Sequence, residues 1–373
     1  MILCAKQKFL TSIYVYQSVK INTFLKVCRF ERFLHPDRSV YIKRGTSKNT
    51  TGRRIELVRV LRNLGIGIGM LAMAAMAPAG QRSKEVSQIV YKKQQVGNIQ
   101  IFYREAGSPS HPTIVLLHGF PSSSHMFRDL IPLLSPQYHV IAADMPGYGY
   151  SDQPSPEQFE YTFDHIADVM DQFLDSVGAS KYSIYVQDYG SPIGFRLFLK
   201  HPDRIQAIIS QNGNAYTEGL SSFWGESIEP YWKEKTPETE KKIRELLTLE
   251  TTKFQYMKGY ADLHRVSPDS YTFDQLTLDR PGNDVIQLAL FYDYQNNVKQ
   301  YPQWHEALRK YKPPVLAVWG KNDPIFLPAG AEAFKRDVPD AEIYFVDSGH
   351  FALEDHADEI GHYITAFLAR KLR

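Results

Sequence analysis

The chain has 373 residues, 43% apolar and 23% charged, enough to bury one large domain with room for an inserted subdomain. Its net charge of +2 is a near-cancellation: residues 1–84 hold 16 Lys/Arg against 3 Asp/Glu, and the remainder holds 27 against 38. An acidic body argues against nucleic acid as a partner, and with Cys4 and Cys28 as the only cysteines the body has neither a disulfide framework nor a cysteine metal site.

The front reads as targeting sequence behind an unassigned extension. Residues 1–52 fit neither a leader nor a core domain, and no methionine falls between Met1 and Met70. Initiation near Leu57 or Val58 at a non-ATG codon would explain them; a native peptide from residues 10–40 would rule this out. Residues 53–79 resemble a signal peptide: Arg53, Arg54, Arg59 and Arg62 precede an apolar run from Leu64 to Ala79, and Ala75-Met76-Ala77 and Ala77-Pro78-Ala79 fit a small-x-small cleavage site. The run is shorter than the roughly 20 residues of a spanning helix, so no stable span is expected after processing. An uncleaved anchoring helix is the competing reading. Use of the segment predicts a periplasmic or secreted protein; otherwise the protein is cytoplasmic.

From about residue 88 strands and helices alternate. Ile99 to Tyr103 alternates like a strand, and apolar runs at 113–117, 139–143, 182–186, 205–209, 314–319 and 342–346 read as further strands. Thr162 to Val177 has helical spacing, with Phe163, Ile166, Met170, Phe173 and Val177 on one face and Thr162 as its cap. Helices are also expected at 191–200, 329–337 and 355–371. The fold class is therefore α/β, a mostly parallel sheet covered by helices on both faces. It is expected in two parts, 80–212 and 303–373, interrupted by a helical cap at 213–302. That stretch is rich in charge and aromatics and punctuated by Pro230, Pro237, Pro268, Pro281 and Pro302, with helices at Glu238 to Leu249 and Asp284 to Asn296.

Val186-Gln187-Asp188-Tyr189-Gly190 joins a strand to a helix, with small residues around its apex, as a nucleophile elbow does. An aspartate at that apex suits displacement at saturated carbon, because the resulting ester is hydrolysable. A plain N-cap role for Asp188 is the competing reading. Four segments follow other strands. In His118-Gly119-Phe120-Pro121 the Phe120 N–H can join that of Tyr189 at a developing oxyanion. The loop from Asp144 to Asp152 is Gly-rich with no helix directly after it, and is taken as structural. Asp323, in Trp319-Gly320-Lys321-Asn322-Asp323-Pro324, can orient a histidine, and His350, in Asp347-Ser348-Gly349-His350-Phe351, can be that histidine. The bland readings are ordinary turns and a solvated loop histidine.

The chain order Asp188, Asp323, His350 and these motifs together resemble the α/β-hydrolase superfamily over roughly residues 88–373. Within it they look most like the branch of epoxide hydrolases and haloalkane dehalogenases, which use an aspartate nucleophile and a helical cap. The resemblance implies that Asp188 is the nucleophile, His350 the base and Asp323 its partner, with Phe120 and Tyr189 as the oxyanion hole. Dehalogenases of the branch usually carry Trp after the nucleophile and often Asn after the first His-Gly; this chain has Tyr189 and Phe120, leaving Trp224 or Trp232 as substitutes. Epoxide hydrolases use two cap tyrosines as acids, and Tyr294 (in Asp293-Tyr294-Gln295-Asn296-Asn297) and Tyr231 (in Tyr231-Trp232-Lys233-Glu234) match those stretches. Epoxide opening to a diol is the main expectation, haloalkane dehalogenation an alternative, and a non-catalytic fold binding a small apolar molecule a third. Ester hydrolysis fits poorly, since Ser191 lies past the apex. The expected partners are a small apolar substrate and water; no metal or organic cofactor is called for, and the oligomeric state is left open.

Overall fold

A computed structural model describes residues 88–372. The expectations for residues 1–52 and 53–79 lie outside the described residues. Eight strands form one sheet: β1 Val90–Val96, β2 Ile99–Ala106, β3 Thr113–Leu117, β4 His139–Ala143, β5 Tyr182–Val186, β6 Ile205–Gln211, β7 Val315–Gly320 and β8 Glu342–Val346. Their order is β1-β2-β4-β3-β5-β6-β7-β8. The β1–β2 and β2–β4 pairs are antiparallel and every later pair is parallel. Helices of nine residues or more are α1 Phe163–Ser176, α2 Gly190–Lys200, α3 Pro237–Glu245, α4 Leu249–Met257, α5 Pro268–Leu278, α6 Asn283–Tyr311 and α7 Leu353–Lys371.

The central strands are buried on both faces, so β4 and β5 are buried at every position, and two separate hydrophobic clusters form. Phe163, Ile166, Met170 and Phe173 of α1 enter one cluster; Ile360, Ile364, Phe367 and Leu368 of α7 enter the other. The Thr162 hydroxyl accepts from the His165 N–H and starts α1 at the expected place.

Between β6 and β7 the chain is helical, but the pieces differ from those expected. The helix read from Glu238 to Leu249 is broken in two, because Thr236 caps α3 and Thr248 caps a new start at α4. The expected helix at 284–296 extends as α6 to Tyr311, past the 302 boundary and through Pro302. An interior proline costs about 3 kcal/mol. Tyr301, Trp304 and Leu308 are all buried on either side of it, and each large apolar side chain so buried contributes about 1.5–3 kcal/mol, which outweighs that cost. The helix expected at 329–337 is two short turns, Pro328–Glu332 and Phe334–Asp337.

The sheet sets up the site through its register. Leu117 pairs with Val186 and Gly320 with Val346, so β3 ends level with β5, and β7 ends level with β8. Their following loops, which carry Phe120, Asp188, Asp323 and His350, emerge along one edge, the carboxyl edge where open α/β sheets bind ligands.

Candidate active site

Asp188 sits at the tip of the turn between β5 and α2 with φ of 47°, in the left-handed region. The turn is tight: the Gly190 N–H donates to the Gln187 carbonyl at 2.7 Å. A Cβ on Gly190 would lie 2.1 Å from the Leu117 carbonyl oxygen, so only glycine allows α2 to start this close to β3. The carboxylate is 5% exposed. The Phe120 N–H donates to Oδ1 at 2.6 Å, and the Tyr189 N–H donates to the same carboxylate from the first turn of α2. That pairing leaves Oδ2 facing His350, 3.9 Å from Nε2.

His350 is fully buried, and its Nδ1 lies 2.9 Å from Asp323 Oδ2. The Gln187 amide donates to Nε2 at 2.9 Å, so Nε2 is the unprotonated nitrogen and Nδ1–H is the donor to Asp323. Asp323 is itself held by the Asn212 amide at 2.6 Å and the Ile325 N–H at 2.7 Å. Burial pushes the Asp188 carboxyl up to about 6, against the opposing pull of His350 and of the two N–H donors. For His350 burial works downward, but the charge and hydrogen bond of Asp323, and then the charge of Asp188, leave it above its ordinary value.

A small cavity opens onto Asp188, walled by Phe120, Tyr189, Trp224, Phe254, Phe291 and Ile325 among others. Its walls are mostly apolar, which suits a small apolar ligand. Gly119 backs the nucleophile so closely that a Cβ there would lie 2.3 Å from Asp188 Cβ and 2.5 Å from Oδ1. Gly119→Ala is therefore expected to destabilise the protein by about 1–3 kcal/mol, read by urea denaturation. A fully stable Gly119→Ala protein would show that the loop can shift away.

The expected residues are thus gathered unevenly. Asp188, Asp323, His350, Phe120 and Tyr189 converge at one sheet edge. Tyr294 is fully buried beside them, its ring 5.8 Å from that of Tyr189 and 4.3 Å from that of Trp224, with its hydroxyl bonded to Tyr301 rather than lining the cavity. Tyr231 is held apart, its ring against Tyr292 with Lys235 alongside, and does not line the cavity either. The two tryptophans considered as halide donors are occupied: Trp224 Nε1 donates to the Ile325 carbonyl at 3.1 Å and Trp232 Nε1 to the Phe291 carbonyl at 2.7 Å. In the loop from Asp144 to Asp152 the Asp144 carboxylate accepts from the Ser124 and Tyr150 N–H groups.

Three side chains at the site were not singled out from sequence. Gln187 precedes the apex and fixes the imidazole tautomer. Asn212 anchors Asp323; the polar run Gln211-Asn212-Gly213-Asn214, closing an apolar strand, was the available signal. Gln255 lines the cavity from α4 and had none.

A family model described as the alpha/beta hydrolase fold matches residues 112–357. The chain is 45% identical over 283 residues to an uncharacterized hydrolase of Saccharomyces cerevisiae, covering 75% of this chain and 97% of that protein. It is 27% identical to a haloalkane dehalogenase of Mycolicibacterium paratuberculosis, covering 72% of this chain and 87% of that one. Among solved structures, a haloalkane dehalogenase from Bradyrhizobium elkani is similar with a TM-score of 0.62 at 22% identity, over 76% of this chain and 98% of that one, a likeness of fold.

Proposed function

Because the chain belongs to the α/β hydrolase fold family, and within it is haloalkane dehalogenase-like, we propose that it hydrolyses a small apolar alkyl electrophile through an ester on Asp188. The observation that carries this reading is the elbow carboxylate, with Oδ1 held by the Phe120 N–H and Oδ2 facing a histidine that is tied to Asp323. Oδ2 attacks the substrate carbon, the C–O bond forms, and the leaving group departs with the bonding pair. His350 Nε2 exchanges the Gln187 amide for water and takes a proton from it, and the hydroxide adds to the ester carbonyl. The N–H groups of Phe120 and Tyr189 hold the oxyanion. On collapse the departing alcohol oxygen takes the proton from His350, and the Asp188 carboxylic acid so formed loses its remaining proton to solvent to restore the carboxylate. The helices between β6 and β7 act as a cap that keeps bulk water from the alkylation step.

The carbon–halogen bond of a haloalkane is the first choice of leaving group, on the similarity to haloalkane dehalogenases. Epoxide opening is the second reading: the donors a halide would use are engaged, both indole N–H groups with carbonyls, although neither Tyr294 nor Tyr231 lines the cavity as an acid for the epoxide oxygen. Single turnover in H₂¹⁸O on bromoalkanes and aryl epoxides separates them. Heavy oxygen in the Asp188 peptide with bromide release supports the first, and with a diol the second. Turnover with no label in that peptide would sink Asp188 as nucleophile.

The pH response follows from the two shifts. Ester formation needs ionised Asp188, so its rate is expected to be flat above about pH 6 and to fall about tenfold per unit below it. Ester hydrolysis needs neutral His350, which titrates above its ordinary value in the free enzyme. Alkylation removes the Asp188 charge, one of the causes of that rise, so the histidine of the intermediate titrates lower than in the free enzyme. Rapid-quench rates of the two half-reactions from pH 4.5 to 8.5 check both statements.

A further inference from the structure

The polar side chains of the cavity differ in what already occupies them. Asp188 faces His350 and its two N–H donors. The Thr251 hydroxyl donates to the Glu245 carbonyl at 2.8 Å. The Tyr189 hydroxyl is sealed in the core without a partner. Gln255 lines the cavity, is 5% exposed, and has no side-chain hydrogen bond among the described residues. Unlike the Tyr189 hydroxyl, its carboxamide is not sealed in the core, so it is open to the cavity and free to bond a ligand there.

The helix carrying it is fixed. Thr251, Phe254 and Gln255 of α4 share the cavity face at helical spacing. On the adjoining face the Thr252 hydroxyl donates to Gln275 Oε1 at 2.7 Å and the Tyr256 hydroxyl to Asp274 Oδ2 at 2.5 Å. The Tyr256 ring also stacks on Phe351, the neighbour of His350, with centroids 4.1 Å apart. Gln255 is thus presented to the cavity from a helix tied to the loop that carries His350, in a cavity where the Trp224 indole N–H is already used.

We propose that the Gln255 carboxamide N–H receives the departing heteroatom, a halide or an epoxide oxygen, and so sets which leaving groups the site accepts. This rests on the reading of Asp188 as the alkylated nucleophile. As the Asp188 oxygen bonds to carbon, the electron pair of the breaking bond moves onto the heteroatom, and the amide donates to that growing negative charge. The amide transfers no proton: a halide leaves as the anion, and an epoxide oxygen takes its proton from a single cavity water, the hydroxide so formed being neutralised by the proton that Asp188 releases after ester hydrolysis.

The test is single-turnover kinetics of the full-length protein and of Gln255→Met, an unbranched replacement of similar size without a donor. The substrates are a chloroalkane, the iodoalkane of the same chain and an aryl epoxide. Ester formation on Asp188 is expected to slow about 10²-fold for chloride and less for iodide, whose charge is more dispersed, while ester hydrolysis keeps its wild-type rate. A comparable loss on the epoxide and none on the haloalkanes would identify the heteroatom as oxygen. Gln255→Asn, which keeps the amide one methylene shorter, is expected to recover part of the rate. An unchanged rate of ester formation in Gln255→Met overturns the proposal, and so does an equal slowing of both half-reactions with every leaving group, the mark of a displaced helix. If the wild-type protein forms no labelled Asp188 peptide with any substrate, the reading of Asp188 fails first and takes this inference with it.

Discussion

Asp188→Asn is expected to lose turnover by about 10⁴-fold or more and yet to be more stable than the wild-type protein at pH 7.5. The first half follows from chemistry: a neutral amide is no match for a carboxylate as a nucleophile, and the remaining groups only bind and polarise. The second half follows from the carboxyl being pushed from 3.8 up to about 6 by burial. Below pH 3.8 the group is protonated in folded and unfolded chains alike and has no effect. Between 3.8 and about 6 the unfolded chain ionises first, so stability falls as pH rises, and above 6 the deficit stays constant. Its size is on the order of 2–3 kcal/mol. Asparagine tolerates the left-handed backbone and carries no charge to desolvate. Urea denaturation of both proteins at pH 7.5 and pH 4 checks the sign: the gap should be open at the higher pH and nearly closed at the lower. A less stable variant at pH 7.5 would mean that the ionised carboxylate helps hold the turn together.

His350→Gln is expected to stop the reaction halfway. Asp188 and its N–H donors are untouched, so alkylation proceeds, but no base remains to activate water. The protein should release one equivalent of leaving group and then stall, with the Asp188 peptide heavier by the alkyl fragment. The variant is expected to fold, because Asp323 keeps its bonds from the Asn212 amide and the Ile325 N–H when the imidazole goes. Intact-protein mass spectrometry after mixing with a bromoalkane or an aryl epoxide reads this directly. Continued steady turnover would remove His350 from the role of base.

What could be read from sequence depended on where the apolar side chains fall. β3, β4 and β5 are buried runs, and α1 has one apolar face, so all four were legible within a residue or so. β1 was not, because it is an edge strand with Lys92 and Lys93 exposed, and backbone pairing with β2 defines it. α4 and α5 were missed for a different reason. Their buried residues are largely polar, among them Thr252, Gln255, Ser270, Asp274 and Gln275, so no apolar period marks them. The same reason hides Gln255. The motif residues Asp188, Asp323 and His350 were legible because strand ends are short, and a turn of fixed length leaves little freedom in where its side chain goes. Tyr294 and Tyr231 lie on helices whose packing the spacing does not reveal.

The left-handed backbone at residue 188 bears on how such a protein changes over evolutionary time. The turn constrains its neighbours, Gly119 and Gly190, through contacts that any Cβ would violate, whereas the apex asks only for a side chain that accepts φ of 47°. Backbone geometry and reaction class are therefore written at different positions. A single codon change at the apex can exchange one chemistry for another on an unaltered frame, while changes at the two glycines threaten the frame and leave the chemistry nominally intact.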